Sequence, residues 1–497
     1  MPAVTMVEGG SWLVPYVGGK PFLRKPPLVQ WCIATSLRTF GHNVWAARLP
    51  SALSVLALAA VMILCTRGWL IAEQSLIAAI VMMTQIGTME KCRLAEIEAI
   101  YVALSGIAMV LWMSWWSQRR SPWLVWLVPM LFNGLALLAK APLHLLFFYA
   151  IVVATLWAAG EMRQLLSLPH IVGVLVMIGV FEAWAIPYFQ VVPADAVKQV
   201  WQRQFVERVT GADTGLAKWL INVPNGIANH LPWILFAPLL WRANATEGQH
   251  PRTAALLRGS RWAVAACFFV LLLIPGVLPR YLQPLTVPFS LLLAPVLWDC
   301  PRRFRHWWRY AAFALTVVVF LAAIASPFLV ASAVQQGADA LHPAVAGLAV
   351  LVVFAGALLL ISLRRRLHES VHLALWTALT MVMAMLLYAT TAVPYMRLRE
   401  NIRPFAERID DKMPPGAPLY AYSMDDFAPL LGTLFYLQTP FLYTPDVAAS
   451  PLGAQHYLVR GKDRARFEKY FLVEATLAEW SGKDEKMPAA VLRAVKK

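Results

Sequence analysis

The sequence predicts a polytopic α-helical membrane protein with a small C-terminal α/β exoplasmic domain. Three observations predict it. The 497-residue chain is 59% hydrophobic and only 14% charged, with a mean hydropathy of +0.59, whereas soluble domains carry about a quarter charged residues. Apolar windows of roughly 17–25 residues, the length that crosses a bilayer as a helix, recur along the chain. From about residue 392 the composition turns polar.

Residues 1–46 are polar, aromatic and cationic: Glu8-Gly9-Gly10-Ser11-Trp12-Leu13-Val14-Pro15, then Phe22-Leu23-Arg24-Lys25-Pro26-Pro27-Leu28. Met1 to Glu8 lacks the basic and apolar regions of a secretory signal. The segment reads as an exoplasmic loop with interfacial helices. Spans follow at about 47–66, 69–87, 97–116, 122–139, 142–159, 170–189, 226–241, 261–276, 279–298, 309–332, 343–363 and 371–391. They make up a membrane domain over 47–391. The tail, 392–497, alternates helix-like stretches (Ile402 to Asp411, Lys462 to Phe471) with strand-like ones (Leu419 to Tyr422, Tyr457 to Arg460).

The net charge of +16 is a topology signal and not a nucleic-acid footprint. Arginine falls in alternate loops, at Arg67, Arg119 and Arg120, Arg163, Arg242, Arg252 and Arg258, Arg302, Arg303 and Arg305, and Arg364 to Arg366. Such loops face the cytoplasm, and the excess also attracts anionic lipid. The segment 1–46, the loops near 88–96, 140–141, 190–225 and 277–280, and the tail then share the opposite, exoplasmic face. The five cysteines (32, 65, 92, 267 and 300) show neither metal spacing nor a disulfide pattern. The sequon Asn244-Ala245-Thr246 falls in a loop on the cytoplasmic side and is read as chance.

Candidate site residues converge on the exoplasmic face. Ionisable groups are costly in lipid, so each one at a span mouth has an interfacial or a functional role. Lys25 precedes two prolines that hold it extended; it is either an interfacial snorkelling residue or a lysine fixed to receive a lipid-linked phosphate. Glu96 and Glu98 open the third span; they cap its dipole or act as a general base or sugar clamp, with Lys91 and Arg93 close enough to tune them. Lys140 stands alone in a short exoplasmic turn, snorkelling or catalytic. Trp201 to Arg208 reads as an amphipathic interfacial helix. His230 is an interfacial hydrogen-bonding residue or a ligand. Arg280 is held in the hairpin Pro275 to Tyr281, where a guanidinium offers bidentate bonds to phosphate and the Tyr281 phenol a further donor. Glu182 lies mid-span without an assigned partner.

Taken together, these residues resemble the lipid-linked-sugar glycosyltransferases of the GT-C superfamily related to protein O-mannosyltransferase and to the aminoarabinose transferase that modifies lipid A. Residues 11–15 and 22–28 look like that family's first exoplasmic loop, and Trp45 to Ala52 like the start of its second span. Leu138 to Pro142 is similar to its Leu-Thr-Lys-Gly-Pro turn, Leu278 to Pro284 to its Leu-Pro-x-Tyr-x-x-Pro hairpin, and Arg403 to Tyr422 to the opening of its soluble domain. The family has thirteen spans, so the twelve read here imply that the first is absent. Its acidic motif, Asp-Glu followed by Arg-Tyr, belongs a few residues before the position of Met6 and is not in the sequence. Its Phe-Glu-Lys-Pro reads Leu23-Arg24-Lys25-Pro26, which removes an acidic neighbour, and no firmly bound metal is expected.

The resemblance implies transfer of a sugar from a polyprenyl-phosphate donor to a lipid (lipid A-like), glycan or protein acceptor on the outer face of a bacterial inner membrane. It implies that Lys25, Arg208, Arg280 and Tyr281 hold the donor phosphate and that Glu98 orients the acceptor. Lys91, Arg93, Glu96, Lys140 and His230 are further substrate-binding candidates. The primary base is expected upstream of Met1. The rival class is a transporter or flippase of lipid-linked sugars, which places binding residues near the bilayer midplane between repeated halves; here the ionisable residues collect at one face and no halves repeat. A third class is an inactive, lipid-binding relative.

Overall fold

The computed structural model describes residues 2–497 except 18–19, 141, 196, 199, 201, 203–215, 242–249, 275, 336–354, 357–366, 394–401, 423–432, 434, 445–449 and 481–487. The chain divides into two compact units, one of residues 1–22, 328–343 and 389–497, the other of 23–327 and 344–388.

In chain order the described helices and strands are α1 (Pro2–Val7), β1 (Tyr16–Val17), β2 (Lys20–Pro21), α2 (Leu28–Phe40), α3 (Val44–Cys65), α4 (Ala72–Met83), α5 (Ile86–Cys92), α6 (Ile97–Ser117), α7 (Pro122–Ala139), α8 (Leu143–Ala159) and α9 (Leu168–Val191). They continue with α10 (Leu216–Ala228), α11 (Pro251–Leu273), α12 (Thr286–Trp298), α13 (Arg302–Gln335), α14 (Glu369–Leu387), α15 (Arg403–Lys412), β3 (Leu419–Tyr422), β4 (Phe441–Thr444), β5 (Ala454–Arg460), α16 (Gly461–Tyr470), β6 (Phe471–Trp480) and β7 (Ala489–Lys496).

Among the described residues eight helices are long and apolar enough to cross a membrane, and α4 and α8 are shorter apolar helices. The protein is multi-pass. Two expected spans differ from the structure, and a third falls almost wholly outside the described residues. The stretch 69–87 folds as two helices, because Thr84 and Gln85 leave the helix between α4 and α5. At about 1.5 Å per residue, the 12-residue α4 is well short of a bilayer core of about 30 Å. The stretch 226–241 is the end of α10, a turn, and a 3-10 helix at Trp233–Trp241, where Pro232 and Pro238 interrupt α-helical bonding. The stretch 343–363 lies, but for two residues, outside the described ones.

Burial sorts the helices. In the apolar window of α6, 89% of residues are buried inside the protein, against 22% for the apolar window of α13. Thus α6 is a central helix, and a charged group on its first turn sits in the interior of the bundle and not against lipid. Trp112 and Trp116 of α6 stack at 5.8 Å between ring centroids and are fully buried.

Small residues allow close helix approach where apolar solvent removes the hydrophobic drive. Gly259 of α11 faces the backbone of α8, where an added Cβ would stand 2.6 Å from the Ala154 carbonyl and the Thr155 Cα. Backbone atoms cannot rotate away, so the helices themselves must separate. Gly259→Ala is expected to destabilise the bundle by roughly 1–3 kcal/mol, measured as a lower Tm of the detergent-solubilised protein; an unchanged Tm would refute this packing.

The other unit holds the tail. Its five-stranded sheet has the order β4-β3-β5-β7-β6, with β3 parallel to both neighbours and β7 antiparallel to β5 and β6. The period of two sorts side chains between two cores. Leu419, Ala421, Leu458 and Val491 pack with Phe405 and Ile409 of α15. Tyr422, Tyr457, Val459 and Leu492 pack with Phe467 of α16 and Phe471. The sheet is covered on both faces, as the parallel pairing of β3 requires. The expected small α/β domain is present. Residues 1–22 group with it: β1 and β2 form a hairpin, and the Lys20 ammonium lies 3.7 Å from the Tyr443 ring centroid on edge strand β4.

Candidate active site

The site begins at the N-terminus of α6. Glu96 is its N-cap, with extended backbone and no side-chain cap bond. Glu98, in the first turn, is 5% exposed. A carboxylate there is favoured by the helix dipole, but burial in the bundle demands charged partners as well.

Two cations supply them. Lys140 ends α7, with extended backbone at the C-cap, and its Nζ donates to Glu98 Oε1 at 3.2 Å. Arg280 lies on a 3-10 helix, Pro279–Leu285, that leads into α12, and its Nε stands 3.3 Å from the same oxygen. Aromatic faces enclose the lysine: its Nζ is 4.7 Å from the Tyr281 ring centroid and 5.2 Å from that of Tyr101, within cation–π range. The side chain of Arg280 is 43% exposed, whereas those of Glu98 and Lys140 are 7% and 8% exposed. The triad is therefore anchored inside and opens outward through the guanidinium.

Lys91 and Arg93 sit apart from the triad. Lys91 pairs with Glu96 at 3.1 Å and with Glu90 at 3.6 Å, and the Arg93 guanidinium lies 5.6 Å from the Tyr388 ring centroid. Glu96 thus pairs with Lys91, and Glu98 with Lys140 and Arg280.

His230 belongs to a different, internal group. It is 1% exposed, and its Nδ1 lies 2.6 Å from Gln85 Oε1. Gln85 Nε2 donates to Ser290 Oγ at 3.0 Å, and Ser290 donates to the Thr286 carbonyl at 2.6 Å. This chain ties the α4–α5 junction to α12. Backbone bonds from Ile86 to Leu231 and from Gly87 to Asn229 reinforce it. At Gly87 an added Cβ would meet the Gln283 amide at 2.4 Å, so the glycine lets the Arg280-bearing segment approach α5. His230 is thus a buried hydrogen-bonding residue that links these elements inside the bundle.

Lys25 is partly buried just before α2, whose N-cap is Pro27. Arg208 lies outside the described residues. Of the candidates, the structure brings Glu98, Lys140, Arg280 and Tyr281 together, pairs Lys91 with Glu96, and sets Arg93 over the Tyr388 ring. Sequence reasoning missed Tyr101 and Gln85. A polar amide between Met83 and Ile86 in an apolar run was the available signal for Gln85. Among the described residues no cluster of three His, Cys, Asp or Glu side chains stands ready for a metal ion.

Chemically the triad is an unbalanced charge group, two fixed cations on one carboxylate. Its outward arginine offers a planar fork to a further anion.

Structural comparison puts this geometry in a known fold. The structure is similar to that of ArnT from Cupriavidus metallidurans bound to undecaprenyl phosphate, with a TM-score of 0.73 over 99% of this chain and 92% of that one at 19% sequence identity. The fold is that of ArnT. The apo state of the same ArnT gives a TM-score of 0.69. Residues 24–186 match the family described as dolichyl-phosphate-mannose-protein mannosyltransferase. Relatives named undecaprenyl phosphate-alpha-4-amino-4-deoxy-L-arabinose arabinosyl transferase are similar as well. The one from Pseudomonas savastanoi pv. phaseolicola is 26% identical over 295 residues, covering 59% of this chain and 54% of its own length. One from Proteus mirabilis is 26% identical over 314 residues, covering 60% and 54%. The chain spans about half the length of the curated relatives it matches. The resemblance drawn from the sequence, to mannosyltransferase- and aminoarabinose-transferase-type membrane proteins, is borne out. In the ArnT fold of this chain, the stretch from 24 to 186 contains α6, Glu98 and Lys140.

Proposed function

We propose that this protein is a membrane glycosyltransferase that moves a sugar from a polyprenyl-phosphate donor to a lipid A-like acceptor. The observation that carries the proposal is the buried Glu98 carboxylate held by Lys140 and Arg280. The names of the relatives supply the substrate class: an undecaprenyl-phosphate-linked aminoarabinose.

The donor phosphate docks on Arg280, with Tyr281, Lys25 and Arg208 as further donors. As the anomeric carbon–oxygen bond breaks, negative charge accumulates on the phosphate. Fixed cations aimed at that charge lower the barrier without reorganising. Glu98 orients the acceptor and holds Lys140 and Arg280 in place. Arginine alternation in the loops supports an inner-membrane orientation with the tail in the periplasm.

The test is transfer from a polyprenyl-phosphate sugar in isolated membranes. Lys25→Ala is expected to lower transfer by roughly 10²-fold or more, with normal protein levels by immunoblot. Normal transfer by this variant would remove Lys25 from the phosphate site, and no transfer by the wild type to lipid A would refute the acceptor.

A further inference from the structure

We infer that Arg258 and Arg261 form a binding site for the headgroup phosphate of an anionic phospholipid. The pair lies near the start of α11, whereas the Arg280 segment follows that helix's other end. The site is therefore separate from the Glu98 triad.

The first observation is a difference among the arginines of α11. Arg252 has its own counter-charge: its Nε and Nη2 donate to the Glu161 carboxylate at 3.2 and 2.7 Å, and its Nη1 donates to the Trp116 carbonyl at 2.9 Å. Arg258 and Arg261 have no carboxylate partner among the described residues. Arg261 Nη1 donates to the Leu240 carbonyl at 2.5 Å, which fixes the guanidinium against the end of the 3-10 helix Trp233–Trp241. Its Nε is withdrawn from solvent and has no hydrogen-bond partner among the described residues. Arg258 is exposed and stands three positions earlier on the same helix face, where Cβ atoms are about 5–6 Å apart. Two like charges at that spacing repel. An anion between them removes the repulsion and accepts charge-assisted hydrogen bonds from both.

The surroundings make that anion a lipid. Trp262, beside the arginines, and Trp241, at the end of the 3-10 helix, are both exposed and meet edge to face with ring centroids 6.1 Å apart. Exposed indoles next to arginine mark the level of lipid headgroups. From Trp262 the exposed stripe of α11 continues through Phe269, Val270 and Leu273. At about 1.5 Å per residue it is roughly 16 Å long, about half of a hydrocarbon core of about 30 Å and so the depth of one leaflet. A phospholipid matches the whole surface, with its phosphate on the arginines, its glycerol region against the indoles and an acyl chain along the stripe. A free phosphate would use only the first part.

Three probes separate the possibilities: dioleoyl phosphatidylglycerol, which is anionic, dioleoyl phosphatidylcholine, whose headgroup is net neutral, and inorganic phosphate. Binding to the detergent-solubilised full chain is titrated by native mass spectrometry. The wild type is expected to bind phosphatidylglycerol saturably and at least roughly tenfold more tightly than phosphatidylcholine, as charge-assisted contacts require. Arg258→Gln should lose at least roughly that tenfold preference while keeping the wild-type Tm, because the side chain is exposed. Arg120→Gln replaces an exposed arginine between α6 and α7 and should bind phosphatidylglycerol as the wild type does. Equal binding of the two lipids by the wild type would overturn the inference, whatever the variants do. So would wild-type binding by Arg258→Gln, or an equal loss in Arg258→Gln and Arg120→Gln, which would mean attraction by diffuse charge. Displacement of the lipid by inorganic phosphate at equal concentration would overturn it too, by making the ligand a free anion.

Discussion

Arg280→Ala is expected to reduce transfer from a polyprenyl-phosphate sugar by roughly 10²–10³-fold, the loss that follows removal of one preorganised donor to a developing oxyanion. The amount of protein in the membrane should stay near that of the wild type. Arg280 is the outward member of the triad, with 43% of its side chain exposed. Its removal therefore leaves no closed cavity, and Glu98 keeps Lys140 at 3.2 Å. Arg280→Lys is expected to recover only part of the activity, because an ammonium lacks the planar fork that grips phosphate through two bonds. The measurement is an initial rate in membranes normalised to immunoblotted protein. Activity of Arg280→Ala within about threefold of the wild type would contradict a transition-state role, for which the smallest expected loss is larger.

Lys140→Met should damage both stability and transfer. Lys140 and Glu98 are both buried, and breaking a buried pair from one side costs about 3–5 kcal/mol because it strands a charge. Arg280 remains beside Glu98 and offsets part of that cost. The variant should show a lower Tm and lower yield, together with lost transfer. Replacing both partners, as Glu98→Leu with Lys140→Met, distinguishes the two effects. An apolar pair of similar volume is often neutral or stabilising, so Tm should recover towards the wild type while transfer stays absent. Recovery of transfer with Tm would show the pair to be purely structural.

Much of this was legible in the chain. Hydropathy placed the long spans: 122–139 coincides with α7 and 97–116 with all but the last residue of α6. Alternation in Leu419 to Tyr422 marked β3 to the residue. Glu98, Lys140 and Arg280 were each visible as charges at span mouths. What local sequence does not contain is that two of them meet one oxygen atom of the third. Lys140 and Glu98 are 42 positions apart, and the contact depends on how α7 and the 3-10 segment before α12 pack around α6. The same holds for His230 and Gln85, 145 positions apart, where a residue read at a span mouth is an internal hydrogen-bonding link. The stretch 226–241 misled because hydropathy reports apolar content and not the α-helical continuity that its prolines interrupt.

The central claim is that the Glu98–Lys140–Arg280 group receives the phosphate of a polyprenyl-phosphate sugar. Equilibrium binding of an undecaprenyl phosphodiester to the full chain in nanodiscs tests it most directly, because it needs neither the sugar nor the acceptor. The wild type should bind saturably and Arg280→Ala at least roughly tenfold more weakly, the loss of one charge-assisted contact of about 1.5–3 kcal/mol. Equal binding by the two proteins, or no saturable binding by the wild type, would contradict it.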